Sequence, residues 1–155
     1  MNGRQIDRIL SMDTITSPFF QGVYSIDTIP LLREKSAIVI NNDESWEAGS
    51  HWLALFVDER KRLEFYDSYG KPPDFYGHYL NNYVSHYSNV CWNSITFQSP
   101  TSNVCGHYCI YFLRRRCMGD SMYSIIHHLC QYKSNDFRLY QFVKKKYGVR
   151  FVFRK

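Results

Sequence analysis

Three apolar runs follow one another between residues 36 and 67, and their order restricts the fold more than any other feature of the sequence. They occupy residues 36–41, 51–57 and 62–67, and they are rich in Val, Ile, Leu and aromatic residues. Runs of this length and composition predict β-strands. The short polar segment 58–61 between the second and third runs predicts a hairpin turn. A sheet of neighbouring strands is therefore the expected centre of the fold.

Apolar residues at helical spacing occupy much of the remaining chain, and Asn2 is a candidate cap for the first helix. The other segments with helical spacing are 73–87, 105–117, 121–131 and the stretch after Ser134 that Gly148 closes. The remaining segments are expected as a loop at 17–30, a strand at 92–98 and an edge strand at 149–153. Because strands precede most helices without a βαβ repeat, we predict an α+β fold with a mostly antiparallel central sheet flanked by helices.

The length of 155 residues is typical of one domain, so residues 1–155 are expected to form a single unit. Five cysteines are an odd number, which excludes a fully paired disulfide framework. The amino terminus has no secretory signal and no run is long enough to span a bilayer, so we expect an intracellular protein without a membrane partner. Each cysteine is then either a small core residue or a reactive thiol.

Cys105 has the sequence context of a nucleophile. It follows the polar turn 99–103 and begins an apolar helical stretch, where free backbone N–H groups and the helix dipole favour a thiolate. The next residue, Gly106, would let a substrate approach the backbone closely. A thiol in this role needs a base, and the base needs an orienting carboxylate.

His51 and Asp67 are the candidates for base and carboxylate. His51 begins the second strand and Asp67 ends the third, so a hairpin would bring them side by side. Gln98 ends a predicted strand seven positions before Cys105. Its amide could donate to a developing oxyanion together with the Cys105 backbone N–H. The four histidines placed on helices without an aligned carboxylate are His78, His86, His127 and His128.

These residues occur in an order that resembles a known family. The motifs HWLALFV, LEFYDSYG and Q-x6-C-G give the order His, Asp, Gln, Cys, which is similar to the adenovirus-type (adenain-like) maturation cysteine proteases and the related Ulp-type SUMO proteases. The resemblance covers roughly residues 19–113, and the segment 19–30 resembles the viral branch. Asp67 matches the cellular branch, whereas adenoviral enzymes have Glu there. The short length favours a DNA virus or a Maverick/Polinton-like element as the source.

The resemblance implies a cysteine endopeptidase with the fold of that family. Cys105 would attack the scissile carbonyl, His51 would transfer protons, Asp67 would orient His51, and Gln98 would stabilise the oxyanion. The implied substrates are protein or polyprotein precursors, cleaved during maturation of a viral or transposon capsid.

Two further residues are expected to contact the substrate. Family members commonly cut after glycine, because a narrow aromatic-lined tunnel admits only small residues near the cut. Trp52, beside the candidate base, would be a wall of such a tunnel, and Gly106 would lie beside the nucleophile.

Two alternative functions remain open at this point. A deconjugating isopeptidase for SUMO or ubiquitin would use the same residues and would differ only in its substrate surface. A non-catalytic module that binds DNA or a partner would need no reactive thiol.

Cofactors and partners are less constrained by the sequence. Basic runs at 114–116 and 144–146, with a net charge of +5, fit either solvated helix faces or sequence-independent DNA binding. The resemblance implies DNA or an activating peptide, bonded through a cysteine such as Cys91, as cofactor candidates. No zinc site is expected, since paired Cys-x2-Cys knuckles are lacking. We expect a monomer in the host nucleus or cytoplasm, or packaged in the virion.

Overall fold

A computed structural model describes residues 1–148, so the predicted edge strand at 149–153 lies outside the described residues. The helices are α1 (Gly3–Met12), α2 (His78–Val84), α3 (Cys105–Cys117), α4 (Met122–Cys130) and α5 (Asp136–Tyr147). The strands are β1 (Phe20–Ser25), β2 (Ser36–Asn41), β3 (Trp52–Val57), β4 (Leu63–Tyr66) and β5 (Val90–Trp92), and a 3₁₀ turn spans Pro73–Tyr76. None of the helices within residues 1–148 has the length and hydropathy needed to cross a membrane.

The five strands form one sheet in sequence order. Its central pairs, β2 with β3 and β3 with β4, are antiparallel, whereas the outer pairs are parallel. The turn between β3 and β4 is closed by Asp58, whose carboxylate accepts the backbone N–H groups of Arg60 and Arg62. The predicted hairpin and the predicted α+β class are confirmed, with an antiparallel centre and parallel edges.

Both faces of the sheet are covered, which explains why its central strands read as continuous apolar runs. Val39 and Ala54 face the core cluster that contains residues of α1, α3, α4 and α5. Ile38 and Leu55 face the second cluster, which contains residues of α2. Within the first cluster α3 lies against β3, and the ring of Phe112 stacks on Tyr66 with 4.4 Å between centroids. This packing fixes the position of the start of α3 relative to the hairpin.

The segment 17–30 contains a strand, β1, so the prediction of a loop was wrong there. Gly22 has a φ of 125°, and the pairing of β1 with β2 shifts register between Phe20 and Val23. The glycine therefore marks a bulge in a strand, where the sequence pattern had indicated a chain break.

Two other segments also differ from the predictions. A strand was predicted at 92–98, but β5 ends at Trp92. The side chain of Asn93 turns the chain there by donating to the carbonyls of Asp67 and Ile95. The predicted helix 73–87 is interrupted at Gly77, whose φ of 97° separates the 3₁₀ turn from α2.

Candidate active site

The β3–β4 hairpin brings His51 and Asp67 together. Ala54 pairs with Tyr66 across the hairpin, so the residues just before β3 and just after β4 lie at the same end of the sheet. His51 Nε2 lies 2.7 Å from Asp67 Oδ1. His51 is 6% exposed and Asp67 is fully buried, so this hydrogen bond is shielded from water.

Cys105 is the first residue of α3, and the packing of α3 on β3 places its thiol against the same imidazole. His51 hydrogen-bonds the Cys105 sulfur, as do the backbone N–H groups of Trp52 and Gly106. Because Nε2 is engaged by Asp67, Nδ1 is the nitrogen left for the thiol. Burial alone would raise the pKa of Cys105, but these hydrogen bonds and the charge of His51 lower it overall.

The pKa of His51 moves in the opposite direction. Burial by itself would lower this pKa, but hydrogen bonds with Asp67 and Cys105, together with their negative charges, raise it to about 9. A thiol with a lowered pKa beside an imidazole with a raised pKa favours the thiolate–imidazolium pair. The arrangement therefore supplies a nucleophile that ionises more readily than a free cysteine.

The carboxylate of Asp67 is held by several donors besides His51. Oδ1 accepts the backbone N–H of Tyr69 at 2.9 Å, and Oδ2 accepts that of Lys71 at 3.2 Å. The hydroxyl of Tyr76 also donates to Oδ2, and the ring of Tyr69 stacks on His51 with 4.6 Å between centroids. Tyr76 lies within the predicted helix 73–87 and was not among the predicted site residues. No sequence signal marks it, because the 3₁₀ turn decides where its hydroxyl lies.

Gln98 is 2% exposed and lies beside the thiol cleft. Ser68 Oγ donates to its Oε1 at 2.6 Å, and its Nε2 donates to the Ser102 carbonyl at 2.9 Å. These bonds fix the orientation of the amide, which carries a second N–H on Nε2. Gln98 lines the same cleft as Cys105, the placement that an oxyanion donor needs.

The cleft around Cys105 has a volume of about 510 Å³. It is bordered by the chain start, by the loop that precedes β3 and by the turn 100–103. Trp52 forms part of its wall, and the indole Nε1 donates to the Met1 carbonyl at 3.2 Å. Gly106 is buried beneath this wall, where an added Cβ would lie 3.2 Å from Ile6 and 3.5 Å from Trp52. The lack of a side chain at Gly106 thus leaves room for the packing of Ile6 against the start of α3.

The other cysteines lie apart from this arrangement. All five are free thiols, Cys109 is buried in the core, and Cys91 and Cys130 are exposed. Within residues 1–148 there is no group of three His, Cys, Asp or Glu side chains that could hold a metal ion.

His107 is a buried histidine that was not among the predicted candidate residues. It is 4% exposed, and neither ring nitrogen has a hydrogen-bond partner among the described residues. Burial lowers its pKa to about 4, so the folded chain holds this imidazole neutral.

This histidine is expected to make folding stability fall as pH drops from about 6.5 to about 4. In that range the unfolded chain binds a proton that the folded chain does not, which corresponds to about 3 kcal/mol at most. Urea unfolding of wild type and His107→Gln at neutral and acid pH would measure the difference. The glutamine stays neutral throughout, so identical pH dependence in the two proteins would contradict the expectation.

The chain is similar, over part of its length, to two viral proteins. No protein-family model matches the chain. Over 98 residues, 58% of this chain, it is 29% identical to the protein named "Putative thiol protease R355" of Acanthamoeba polyphaga mimivirus. The chain covers 32% of the length of that relative. Among solved structures, the selenomethionine form of the ASFV pS273R protease shares 25% identity over 68% of this chain and 42% of its own, with a TM-score of 0.46.

Proposed function

We propose that the chain is a cysteine peptidase. The observation that carries the proposal is the hydrogen-bonded series Asp67–His51–Cys105, in which hydrogen bonds and charge outweigh the effect of burial, so that the pKa of the thiol is lowered and that of the imidazole is raised. Such a series is the known requirement for a thiolate nucleophile with an adjacent proton donor. The sequence similarity to a viral protein named as a thiol protease supports the same reading.

The chemistry follows from the roles that the geometry allows. The Cys105 thiolate attacks the scissile carbonyl carbon, and the oxyanion that forms accepts hydrogen bonds from Gln98 and the Cys105 backbone N–H. The His51 imidazolium then gives its proton to the leaving amine, and a thioester remains on Cys105. His51 next takes a proton from water, whose oxygen attacks the thioester and releases the acid and the thiolate. Asp67 holds the imidazole in one orientation throughout.

The substrates that we propose are protein precursors cut after glycine during maturation of a viral or transposon particle. Support comes from the resemblance of the His, Asp, Gln and Cys motifs to maturation proteases and from the viral source of the relative. The aromatic side chains of Trp52 and Tyr69 at the cleft are suited to packing against a small residue near the cut.

A peptide-library cleavage profile of wild type and Cys105→Ala tests the proposed activity. We expect wild type to cleave at small-residue motifs and Cys105→Ala to lose about 10⁵-fold or more in rate, since the nucleophile is absent. Cys130→Ala, which removes an exposed thiol outside the cleft at the end of α4, is the matched control and should retain full activity. Equal cleavage by wild type and Cys105→Ala would refute the proposal.

Labelling of wild type by activity probes would distinguish an endopeptidase from a deconjugase. Ubiquitin or SUMO carrying a carboxy-terminal vinyl sulfone would label Cys105 rapidly in a deconjugating isopeptidase. We expect slow labelling of wild type by either probe, because we propose precursor proteins as the substrates.

DNA as an accessory cofactor is a separate proposal. The arginine run 114–116 does not form a free basic surface for it. Each of its three arginines has an acidic partner: Arg114 with Asp13, Arg115 with Asp120 and Arg116 with Glu64. The lysines 144–146 at the end of α5 are the remaining basic run. Binding of duplex DNA measured against salt concentration tests this idea, and absence of salt-dependent binding at low ionic strength would end it.

A further inference from the structure

The segment that carries Gln98 is held by two side chains outside the catalytic series. Asp136, the first residue of α5, accepts the backbone N–H of Ser99 on Oδ2 at 3.1 Å. Its Oδ1 accepts the hydroxyl of Tyr108 at 2.8 Å. The same hydroxyl lies 3.2 Å from the carbonyl oxygen of Phe97. The residues on both sides of Gln98 therefore contact this pair.

Tyr108 connects these contacts to the nucleophile. It lies on α3 one turn after Cys105 and is fully buried, so its hydroxyl has little freedom to move. Asp136 thus links three parts of the chain: the start of α5, the first turns of α3 and the segment around Gln98. On its other side that segment is fixed by Ser68, whose carbonyl accepts the backbone N–H groups of Phe97 and Gln98.

We propose that Asp136 is a positioning residue for the oxyanion site. By holding Ser99 and Tyr108 at once, its carboxylate fixes the distance between the Gln98 amide and the Cys105 sulfur. This role rests on the proposed peptidase function. The contacts of Asp136 do not include His51, Asp67 or Cys105, so its removal leaves the groups that ionise the thiol in place.

Two reactions of the same thiol distinguish this role from general structural support. Peptide hydrolysis passes through a tetrahedral oxyanion, so it depends on where Gln98 lies. Alkylation by iodoacetamide forms no oxyanion, so it depends only on the thiolate fraction and its access. For Asp136→Ala we expect kcat to fall about 10- to 100-fold with KM little changed, whereas the alkylation rate stays within about twofold.

Three further variants test the same role. Tyr108→Phe removes only the hydroxyl, and its effect on kcat should be less than additive with that of Asp136→Ala, because the two side chains share one hydrogen bond. Asp120→Ala is the matched control: this aspartate pairs with Arg115 at the other end of α3 and should leave kcat unchanged. If Asp136→Ala fails to fold, Asp136→Asn keeps the side-chain shape and loses one of the two accepted hydrogen bonds.

Hydrogen exchange supplies a readout that does not need activity. In Asp136→Ala the amides of residues 97–103 should exchange faster, while those of the β3–β4 hairpin keep their protection. Unchanged exchange at 97–103, unchanged kcat, or a parallel loss of kcat and alkylation rate would each overturn the role of Asp136. A wild type that cleaves no peptide would overturn the proposed function and this role with it, whereas an active wild type and an equally active Asp136→Ala would overturn the role alone.

Discussion

Substitution of His51 by Gln is expected to lower kcat/KM by about 10⁴-fold or more, the largest effect outside the nucleophile itself. The change removes the proton donor for the leaving amine. It also removes the hydrogen bond and the positive charge that lower the pKa of Cys105, so the desolvated thiol stays protonated at neutral pH. Steady-state kinetics and titration of thiolate absorbance against pH measure the two losses separately.

The control for this experiment is His78→Gln, which changes an exposed histidine at the start of α2. It should leave both kcat/KM and the thiol titration as in wild type. The double variant His51→Gln with Cys105→Ala should be no slower than Cys105→Ala, since the two residues act as one unit. A His51→Gln protein with a wild-type thiolate titration would contradict the proposed pairing.

Replacement of Asp67 by Asn is expected to lower kcat/KM by about 10²- to 10⁴-fold and to change its pH profile. In wild type the activity should decline as pH rises through about 9, where His51 loses the proton that the leaving amine needs. The neutral amide no longer stabilises the imidazolium, so the pKa of His51 falls and the alkaline decline begins at a lower pH.

Measurement of kcat/KM across pH for wild type and Asp67→Asn provides this test. Asp74→Asn is the matched control, because Asp74 is an exposed acid in the neighbouring 3₁₀ turn. Its profile should follow that of wild type. An alkaline limb that stays near pH 9 in Asp67→Asn would show that the charge of Asp67 does not set the ionisation of His51.

The sequence was sufficient to predict the parts of the site that depend on local structure. A short turn between two strands brings their distal ends together, so the proximity of His51 and Asp67 followed from the hairpin alone. The position of Cys105 at a helix start followed from the polar turn and the apolar stretch around it.

The missed contacts depend on how separate elements pack. Tyr76 lies in a 3₁₀ turn that Gly77 separates from α2, and from there its hydroxyl donates to Asp67. The carboxylate of Asp136 accepts hydrogen bonds from Ser99 and Tyr108, which lie in distant parts of the chain. No periodicity or spacing in the sequence encodes such contacts, because they arise from the docking of α5 against α3.

The environment that lowers the pKa of Cys105 forms only when the chain has folded. The groups that lower the pKa of this thiol come from the β3–β4 hairpin and from the first turn of α3, which are far apart in the sequence. An unfolded cysteine has a pKa of about 8.5 and is mostly protonated in the cell. The nascent chain therefore carries a mostly protonated thiol, and the packing of α3 onto the sheet, which brings Cys105 against His51, lowers its pKa.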